Sequence, residues 1–403
     1  MKQHNTIQKH KNRVIAVPPE SMHNKLGSSS ISILLAIFVL CVFSPATEGV
    51  EPSSKSYSAQ PIPQYDAAFA RSDGWTGGDG ITSVDMGNEK VLWLFSDSWI
   101  GPVVDGKHSG ATMINNAIAI QQGRDVSKAN ISFHWKTDNQ GKASAFITPD
   151  DNVGWFWLFG GILANDKLYL TMIQTIKTED NSAFGFQHIA MWLTEIENPN
   201  DDPNQWRTTQ LKIPYSKFAK AGNTFFGSSL MLDKGYIYLY GVNENWAKGP
   251  SGRSVIVARA PTDSVTRFNT WQFYGDGQWQ SDWTACSQFF NAAAPEYTVN
   301  YQPCLKKYVT IYTENGMSKN ILMRTSPTPT GPWSKPQKLY ECPEQNWHKT
   351  YFCYEAKAHP ELSAPNELTL TYVCNSMDFW QMAKDARIYR PRFVRIKFDS
   401  QPN

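Results

Sequence analysis

From Asp73 onwards the chain alternates apolar and polar residues in short runs, which are separated by Gly, Asn, Asp and Pro turns. A two-residue period is typical of β-strands that have one buried face. No long segment shows the 3.6-residue period of a helix, so alternating βαβ units are not expected. The pattern predicts an all-β protein.

Five segments share one plan, in which a tight turn separates two strand-like runs. They cover residues 80–97, 154–172, 226–241, 296–313 and 358–375. Related hairpins at this spacing favour radial repetition, with roughly seventy residues for each four-stranded blade. We therefore predict a single five-bladed β-propeller over residues 73–398. A two-sheet sandwich is the alternative, because short strands alone also fit that fold.

The N-terminus carries a targeting pattern. An apolar run at 31–43 follows Lys25 and precedes Ser44-Pro45-Ala46, and it is too short to span a bilayer comfortably. We interpret residues 1–46 as a signal peptide cleaved after Ala46, with Met22 as a possible true start. An uncleaved anchor is the alternative. The prediction makes the protein secreted or periplasmic, with a linker at 47–72, a tail at 399–403 and no membrane contact after cleavage.

The charge of the 403-residue chain is nearly balanced, with 38 Lys and Arg against 36 Asp and Glu. Removing residues 1–46 leaves 33 basic and 35 acidic residues. A nucleic-acid-binding protein would carry a basic excess on one element or face, and no such stripe follows the N-terminus. We expect a monomer that binds no nucleic acid.

Five of the six cysteines follow the predicted signal peptide. Export permits disulfides, and Cys286/Cys304 and Cys342/Cys353 are the pairs nearest in sequence, with Cys374 left over. No C-x-x-C motif and no His pair at ligand spacing accompanies them. No D-x-[DN]-x-[DN]-G calcium loop occurs either. These spacings favour structural or free cysteines, and we predict no metal site.

Two aspartates bracket the first hairpin, in the segment DGWTGGDGITSVDMGNEKVLWLFSDSWIG. If Gly87-Asn88-Glu89 forms a three-residue loop, Met86 pairs with Lys90 and Asp79 lies opposite Asp97. Both side chains would then point to one face, with Cβ atoms about 4.5 to 5.5 Å apart. A two-residue turn would send them to opposite faces.

Two carboxyl groups with separated pKa values are what glycosidic cleavage requires. One protonates the leaving oxygen, and the other attacks the anomeric carbon or activates water. Asp79 and Asp97 are therefore the candidate catalytic pair. The structural alternative is that both are turn residues whose oxygens accept hydrogen bonds from nearby backbone N–H groups.

Several side chains are candidates for substrate binding. Aromatic faces suit sugar rings, and two tryptophans flank the acidic turns. Polar candidates occur in three later motifs, MINNAIAI, YEAKAHPEL and YRPRFVRI. The candidates are Trp75, Trp99, Asn115, Asn116, Glu355, Lys357, His359 and Arg390. The alternative is that the aromatic residues are core, and that Glu355 and His359 are hydrogen-bonded structural groups.

The motifs GWTGGDG, LWLFSDSWIG, MINNAI, AKAHPEL and YRPRFVR resemble those of a family of secreted bacterial propellers long labelled a domain of unknown function. Some members of that family are endo-D-arabinanases. The similarity runs from about residue 73 to residue 398. The resemblance implies a five-bladed propeller whose two catalytic aspartates match Asp79 and Asp97. Glu296, in APEYTV, is a weaker candidate for a further carboxylate, and Cys374 stands where an Asn-like residue is expected.

Two functions follow from this pattern. The first is a secreted glycoside hydrolase that cleaves a furanoside-containing, D-arabinan-like polysaccharide with Asp79 and Asp97 and needs no cofactor. The second is a non-catalytic propeller that binds glycans through the same side chains. A sialidase-type propeller is disfavoured, because the chain lacks repeated S-x-D-x-G-x-T-W turns.

Overall fold

The computed structural model describes residues 57–180 and 185–399. The predicted signal peptide, the first part of the predicted linker and nearly all of the predicted tail lie outside these ranges. The described residues form mostly β-strands, as the alternating pattern predicts. No helix in these ranges is both long and apolar enough to cross a membrane.

The described chain contains 29 strands and two short α-helices. The strands are β1 (Tyr57–Pro61), β2 (Trp75–Gly78), β3 (Thr82–Asp85), β4 (Lys90–Phe95), β5 (Ser98–Ile100), β6 (Val103–Val104), β7 (Lys107–His108), β8 (Thr112–Ile114), β9 (Ala117–Gln122), β10 (Asn130–His134), β11 (Lys136–Thr137), β12 (Ala143–Ser144), β13 (Trp155–Ala164), β14 (Lys167–Lys177), β15 (Phe186–Ile196), β16 (Thr208–Lys212), β17 (Lys217–Ala219), β18 (Gly222–Asp233), β19 (Tyr236–Glu244), β20 (Arg253–Pro261), β21 (Gln272–Gly275), β22 (Gln278–Gln280), β23 (Tyr297–Gln302), β24 (Lys307–Thr313), β25 (Asn320–Ser326), β26 (Gln337–Glu341), β27 (Tyr351–His359), β28 (Glu367–Ser376) and β29 (Arg392–Phe398). The helices are α1 (Pro63–Ala68) and α2 (Phe379–Ala383). Short 3₁₀ turns occur at Pro203–Gln205, Trp246–Gly252, Phe268–Thr270, Trp283–Ala285, Pro303–Leu305, Pro343–Asn346 and Pro360–Leu362.

Five antiparallel sheets make up most of the fold. Their strand orders are β3-β4-β9-β10, β13-β14-β15-β16, β17 to β22 in sequence, β23-β24-β25-β26 and β27-β28-β29-β1. Smaller sheets, β2-β5-β8, β6-β7 and β11-β12, are formed by the connections. Large apolar clusters fill the spaces between neighbouring sheets. Successive side chains of a strand point to opposite faces of its sheet, so each sheet supplies buried apolar side chains to these clusters.

The last sheet joins the two ends of the described chain. Strand β1 pairs with β29, and Tyr57 lies opposite Phe398. Helix α1 follows at once and packs Tyr65 against Phe393. The prediction of a linker at 47–72 is therefore wrong from Tyr57 onwards, since this segment supplies the outer strand of a sheet. The five residues of β1 show no clear strand pattern in the sequence, because the formation of this edge strand depends on its pairing with β29.

The innermost strands of the five sheets, β3, β13, β18, β23 and β27, surround one axis. Each contacts the next in that order, and β27 contacts β3. Residues at the start of these strands, or just before it for β3 and β23, line one cavity, and residues further along each strand or just after it line a second cavity. The two cavities therefore lie at opposite ends of the axis.

The predicted register of the first hairpin is confirmed. Thr82 pairs with Leu94 in β3 and β4, and Gly78 pairs with Ser98 in β2 and β5. Between these pairs, the Asp79 N–H donates to the Asp97 carbonyl at 3.2 Å. The loop at 87–89 has left-handed backbone at all three residues. The Met86 N–H donates to the carbonyl of Lys90, which closes the loop. Asp79 therefore lies opposite Asp97.

All five cysteines of the described ranges are free thiols. Cys342, Cys353 and Cys374 are buried in the core, and Cys353 lies directly opposite Cys374 on the neighbouring strand. The two sequence-near pairs are not disulfide-bonded in this structure. Among the described residues, no group of His, Cys, Asp and Glu is arranged to hold a metal ion.

Candidate active site

A cavity of about 1150 Å³ occupies the upstream end of the axis. We call it the carboxylate cavity, because five acidic side chains line it: Asp79, Asp97, Glu296 and Glu355, and Glu244, which is paired with Arg253 at 3.0 Å. Each comes from a residue in or near an inner strand, or the strand that forms a hairpin with it. The five sheets thereby bring together residues that lie up to 276 positions apart, the separation of Asp79 and Glu355.

Gly80 explains the GGDG motif beside the first aspartate. Its backbone is left-handed, with φ of +69°, and a Cβ there would lie 2.3 Å from Ser96 Oγ. Only glycine meets both conditions without strain. The Gly80 N–H donates to Glu355 Oε2 at 2.6 Å. This contact fixes the backbone next to Asp79 against the last sheet.

Asp79 lies in a buried, partly tyrosine-lined position. The Tyr354 hydroxyl donates to its Oδ2 at 2.6 Å, and Tyr389 is a second hydrogen-bond partner. Burial, followed by the charge of Asp97, raises the pKa of Asp79 to about 8. The two tyrosine hydroxyls oppose this shift only in part. The shift favours the protonated form of Asp79.

Asp97 accepts hydrogen bonds from two nitrogen donors. Trp157 Nε1 donates to Asp97 Oδ1 at 2.7 Å, and Asn115 Nδ2 donates to the same oxygen at 3.3 Å. Burial raises the pKa of Asp97 to about 6, but these two donors favour its charged form. Asp97 is therefore ionised at pH values where Asp79 still carries its proton.

Two further carboxylates, Glu355 and Glu296, differ in environment. Burial raises the pKa of Glu355 well above its ordinary value, followed by the charges of Glu296 and Asp79. Its backbone has φ of +57°, which marks an irregular position in β27. Glu296 lies 3.5 Å from the buried ammonium of Lys357, which also donates to Thr82 Oγ1 at 3.1 Å. Lys357 thus partly neutralises the acidic group from behind the cavity wall.

An aromatic wall faces the carboxylates. It consists of Trp155, Trp157, Phe186, His188 and Phe218, all of which line the cavity. The rings of Trp157 and Phe186 meet edge to face, with centroids 4.7 Å apart. Burial lowers the pKa of His188 to about 4, so this ring is neutral. Such a wall suits the apolar faces of sugar rings.

The predicted binding residues do not include this wall. The signal was present in the run WFWLF, where Trp155 and Trp157 alternate with Phe156 and Leu158. Residues two apart share one face of a strand, so the two tryptophans share the cavity face while their neighbours are fully buried. Only the position of β13 beside the axis makes that face a binding wall.

Several predicted binding residues lie in the core instead. Trp75 is fully buried and stacks on Phe133, and the Asn116 amide holds the backbone of Ile147 and Phe156. His359 is fully buried too, hydrogen-bonded to side chains of the first and last sheets. We correct these three predictions, because a side chain without exposed surface has no route to a ligand.

The remaining predicted binding residues divide between the cavity and its surroundings. Glu355 lines the cavity, and Asn115 contacts Asp97 directly. Trp99 is buried and stacks on His108, with ring centroids 5.0 Å apart. Lys357 is 1% exposed, and Arg390 is absent from the cavity lining among the described residues. Trp99, Lys357 and Arg390 are therefore corrected as well, since none of them faces this cavity.

The position of Cys374 has a simple explanation. Its neighbour Asn375 lines the carboxylate cavity and donates to the Tyr354 hydroxyl at 3.1 Å. Cys374 points to the opposite face of β28, into the core. The polar residue expected near this point is thus one position further along the strand.

Comparison with solved structures finds several matches at low sequence identity. A putative hydrolase from Bacteroides ovatus has a TM-score of 0.65 and 19% identity, over 84% of this chain and 90% of that one. An endo-arabinase from Bacteroides thetaiotaomicron has a TM-score of 0.44 and 14% identity, over 81% and 97%. The GH43_1 enzyme from Xanthomonas citri complexed with xylose has a TM-score of 0.43 and 13% identity, over 83% and 93%. The first of these shows a shared fold.

Sequence comparison identifies the family. No curated protein sequence matches the chain. The family model described as "Domain of unknown function (DUF5005)" matches residues 63–398, which is most of the chain. This protein belongs to the DUF5005 family.

Proposed function

We propose that the protein is a secreted or periplasmic glycoside hydrolase built on a single five-bladed β-propeller. Five antiparallel sheets, four of them four-stranded and one six-stranded, each with one strand beside a common axis, support the propeller. The N-terminal apolar run supports export. The observation that carries the enzymatic proposal is the pairing of Asp79 and Asp97 on opposed strand ends, in environments that separate their pKa values.

The proposed reaction assigns a different role to each aspartate. Protonated Asp79 donates its proton to the glycosidic oxygen while ionised Asp97 attacks the anomeric carbon. The C–O bond to the leaving group breaks, and a glycosyl ester forms on Asp97. Asp79, now ionised, removes a proton from water, and that water hydrolyses the ester. Opposed strand residues have Cβ atoms about 4.5 to 5.5 Å apart, which suits the short carboxyl separation of retaining enzymes.

The proposed substrate is a furanoside-containing, D-arabinan-like polysaccharide. The resemblance to endo-D-arabinanases supports this class, and the cavity is large enough for several sugar rings against the aromatic wall. No cofactor takes part, since both proton transfer and nucleophilic attack are assigned to carboxyl groups. We propose that the protein acts as a monomer.

Product analysis tests the proposal. Wild-type protein, Asp97→Asn and Asp263→Asn are incubated with arabinan, D-arabinan, arabinogalactan and fructan, and the products are separated by chromatography. Asp263 is an exposed aspartate and serves as the matched control. We expect oligosaccharides from the wild type and the control but not from Asp97→Asn. The anomeric configuration of the first product, followed by NMR, then separates retention from inversion.

A non-catalytic glycan-binding propeller is the second candidate, and the aromatic wall favours it, since that wall needs no carboxylate to hold a sugar. This function predicts that no polymer is cut and that wild type and Asp97→Asn retain the same glycan in affinity electrophoresis. That result would contradict the catalytic assignment.

A further inference from the structure

The second cavity, at the downstream end of the axis, is not used by the proposed reaction. It has a volume of about 450 Å³. All five inner strands contribute to its wall, together with the turn that follows β27. Its volume lies within the range of small-molecule sites. The polar groups of its wall indicate which class of ligand it would bind.

Two side chains in this wall carry buried polar atoms without a partner. Asn300 is 9% exposed, and neither its Oδ1 nor its Nδ2 forms a hydrogen bond in the described structure. Ser228 is 2% exposed, and its Oγ is unpartnered as well. Each such group destabilises the folded protein when it is left unpaired. Both residues line the cavity, so a guest there would satisfy them.

The charge of the wall restricts the guest. Among the described lining residues there is no Lys or Arg, while Glu361 contributes a buried and unpartnered Oε1. A wall with carboxylates and no cation disfavours an anion. The unpaired donor Nδ2 of Asn300 disfavours a bare cation, because an N–H group and a metal ion repel each other.

A hydroxyl group meets all of these conditions. It donates to Asn300 Oδ1 or Glu361 Oε1, and it accepts from Asn300 Nδ2 or Ser228 Oγ. Apolar side chains, including Val84, Ile162 and Met231, complete the wall and suit the C–H surface of a sugar. We propose that the second cavity is a binding site for a neutral polyhydroxylated molecule about the size of a monosaccharide. This inference stands independently of the reaction proposed for the carboxylate cavity.

Saturation-transfer NMR tests the site with D-arabinose, D-galactose and glycerol as probes. The full protein carries Asp97→Asn as background, so that no chemistry intervenes. We expect saturable binding of at least one probe with a millimolar Kd, weakened about tenfold by an added Asn300→Leu. Ser228→Ala removes one hydroxyl with little change in volume, and we expect it to weaken binding as well. Thermal unfolding checks that both variants fold.

Trp155→Ala in the carboxylate cavity is the matched control and leaves this binding unchanged. The proposal is overturned if no probe binds saturably, which would leave the cavity occupied by water alone. It is also overturned if binding survives both Asn300→Leu and Ser228→Ala but is lost in Trp155→Ala. Neither result bears on whether Asp97 catalyses hydrolysis, so the two proposals fail separately.

Discussion

The indole N–H of Trp157 donates to Asp97 Oδ1 across 2.7 Å, and this bond joins the first and second sheets. The aromatic wall and the carboxylate pair are therefore one structural unit. Trp157 and Asn115 favour the charged form of Asp97, whereas burial and the charge of Asp97 outweigh the tyrosine donors to Asp79. Asp79 instead depends on tyrosine hydroxyls and retains its proton to higher pH.

The rate should depend on pH through both aspartates. Activity needs Asp97 ionised and Asp79 protonated, and burial raises their pKa values to about 6 and about 8. We expect a bell-shaped profile of kcat/KM with its maximum between these values. Initial rates on the cleaved polymer from pH 4 to about 10 measure it. A rate that rises steadily through this range would assign the proton donor to another group.

Trp157→Phe should move the acidic limb of that profile to higher pH, by about one pH unit. The substitution keeps an aromatic ring but removes the donor that favours ionised Asp97. Trp155→Phe is the matched control, because Trp155 lies two residues earlier in β13 and its Nε1 has no partner. Equal shifts in both variants would mean that the wall acts through polarity and not through the hydrogen bond.

Asp79→Asn should stabilise the folded protein at alkaline pH. Burial raises the Asp79 pKa above its ordinary 3.8, so the folded state holds this proton more tightly than the unfolded state. Its contribution to the free energy of unfolding is complete below about pH 4 and is lost as the pH rises through about 8. The neutral amide avoids this loss.

Denaturant titration at pH 5 and pH 9 measures the effect. We expect the gain of Asp79→Asn over wild type to be on the order of a few kcal/mol at pH 9 and much smaller at pH 5. Asp263→Asn, at an exposed turn, should follow the wild type at both values. Parallel curves for Asp79→Asn and wild type would show that Asp79 is not protonated in the folded state.

Gly80→Ala should destabilise the protein more than Gly87→Ala. Both glycines have left-handed backbone, with φ of +69° and +73°, so both variants carry a similar backbone penalty of roughly 1 kcal/mol. A Cβ at Gly80 would also collide with Ser96, whereas a Cβ at Gly87 meets nothing within 4 Å. Chemical denaturation measures the difference. Equal losses would show that Ser96 moves freely.

Trp75→Ala should mainly lower stability, whereas Trp155→Ala should mainly weaken glycan binding. Trp75 is fully buried, so its truncation should lower the free energy of unfolding by about 3 to 5 kcal/mol. Trp155 lies in the aromatic wall, so its truncation should weaken glycan binding and raise KM with a smaller loss of stability. Denaturation and substrate kinetics on both variants separate the two effects. A KM effect from Trp75→Ala alone would restore it as a binding residue.

The sequence determined the features that depend on neighbouring residues. The alternation of apolar and polar positions predicted strands, and turn residues at 87–89 fixed the register that sets Asp79 opposite Asp97. A hairpin register follows from loop length and side-chain alternation, and both depend on a short stretch of consecutive residues. The same locality led to errors, because Trp75, Asn116 and His359 lie near the site in sequence but have side chains that are fully buried.

Only the tertiary structure decided which distant residues complete the site. Trp157, Tyr354 and Glu296 reach the aspartates from three other sheets, and β1 pairs with β29 at the far end of the chain. These approaches depend on how five sheets pack around one axis. Packing is set by the sum of many apolar contacts between sheets, and no short segment of sequence encodes it.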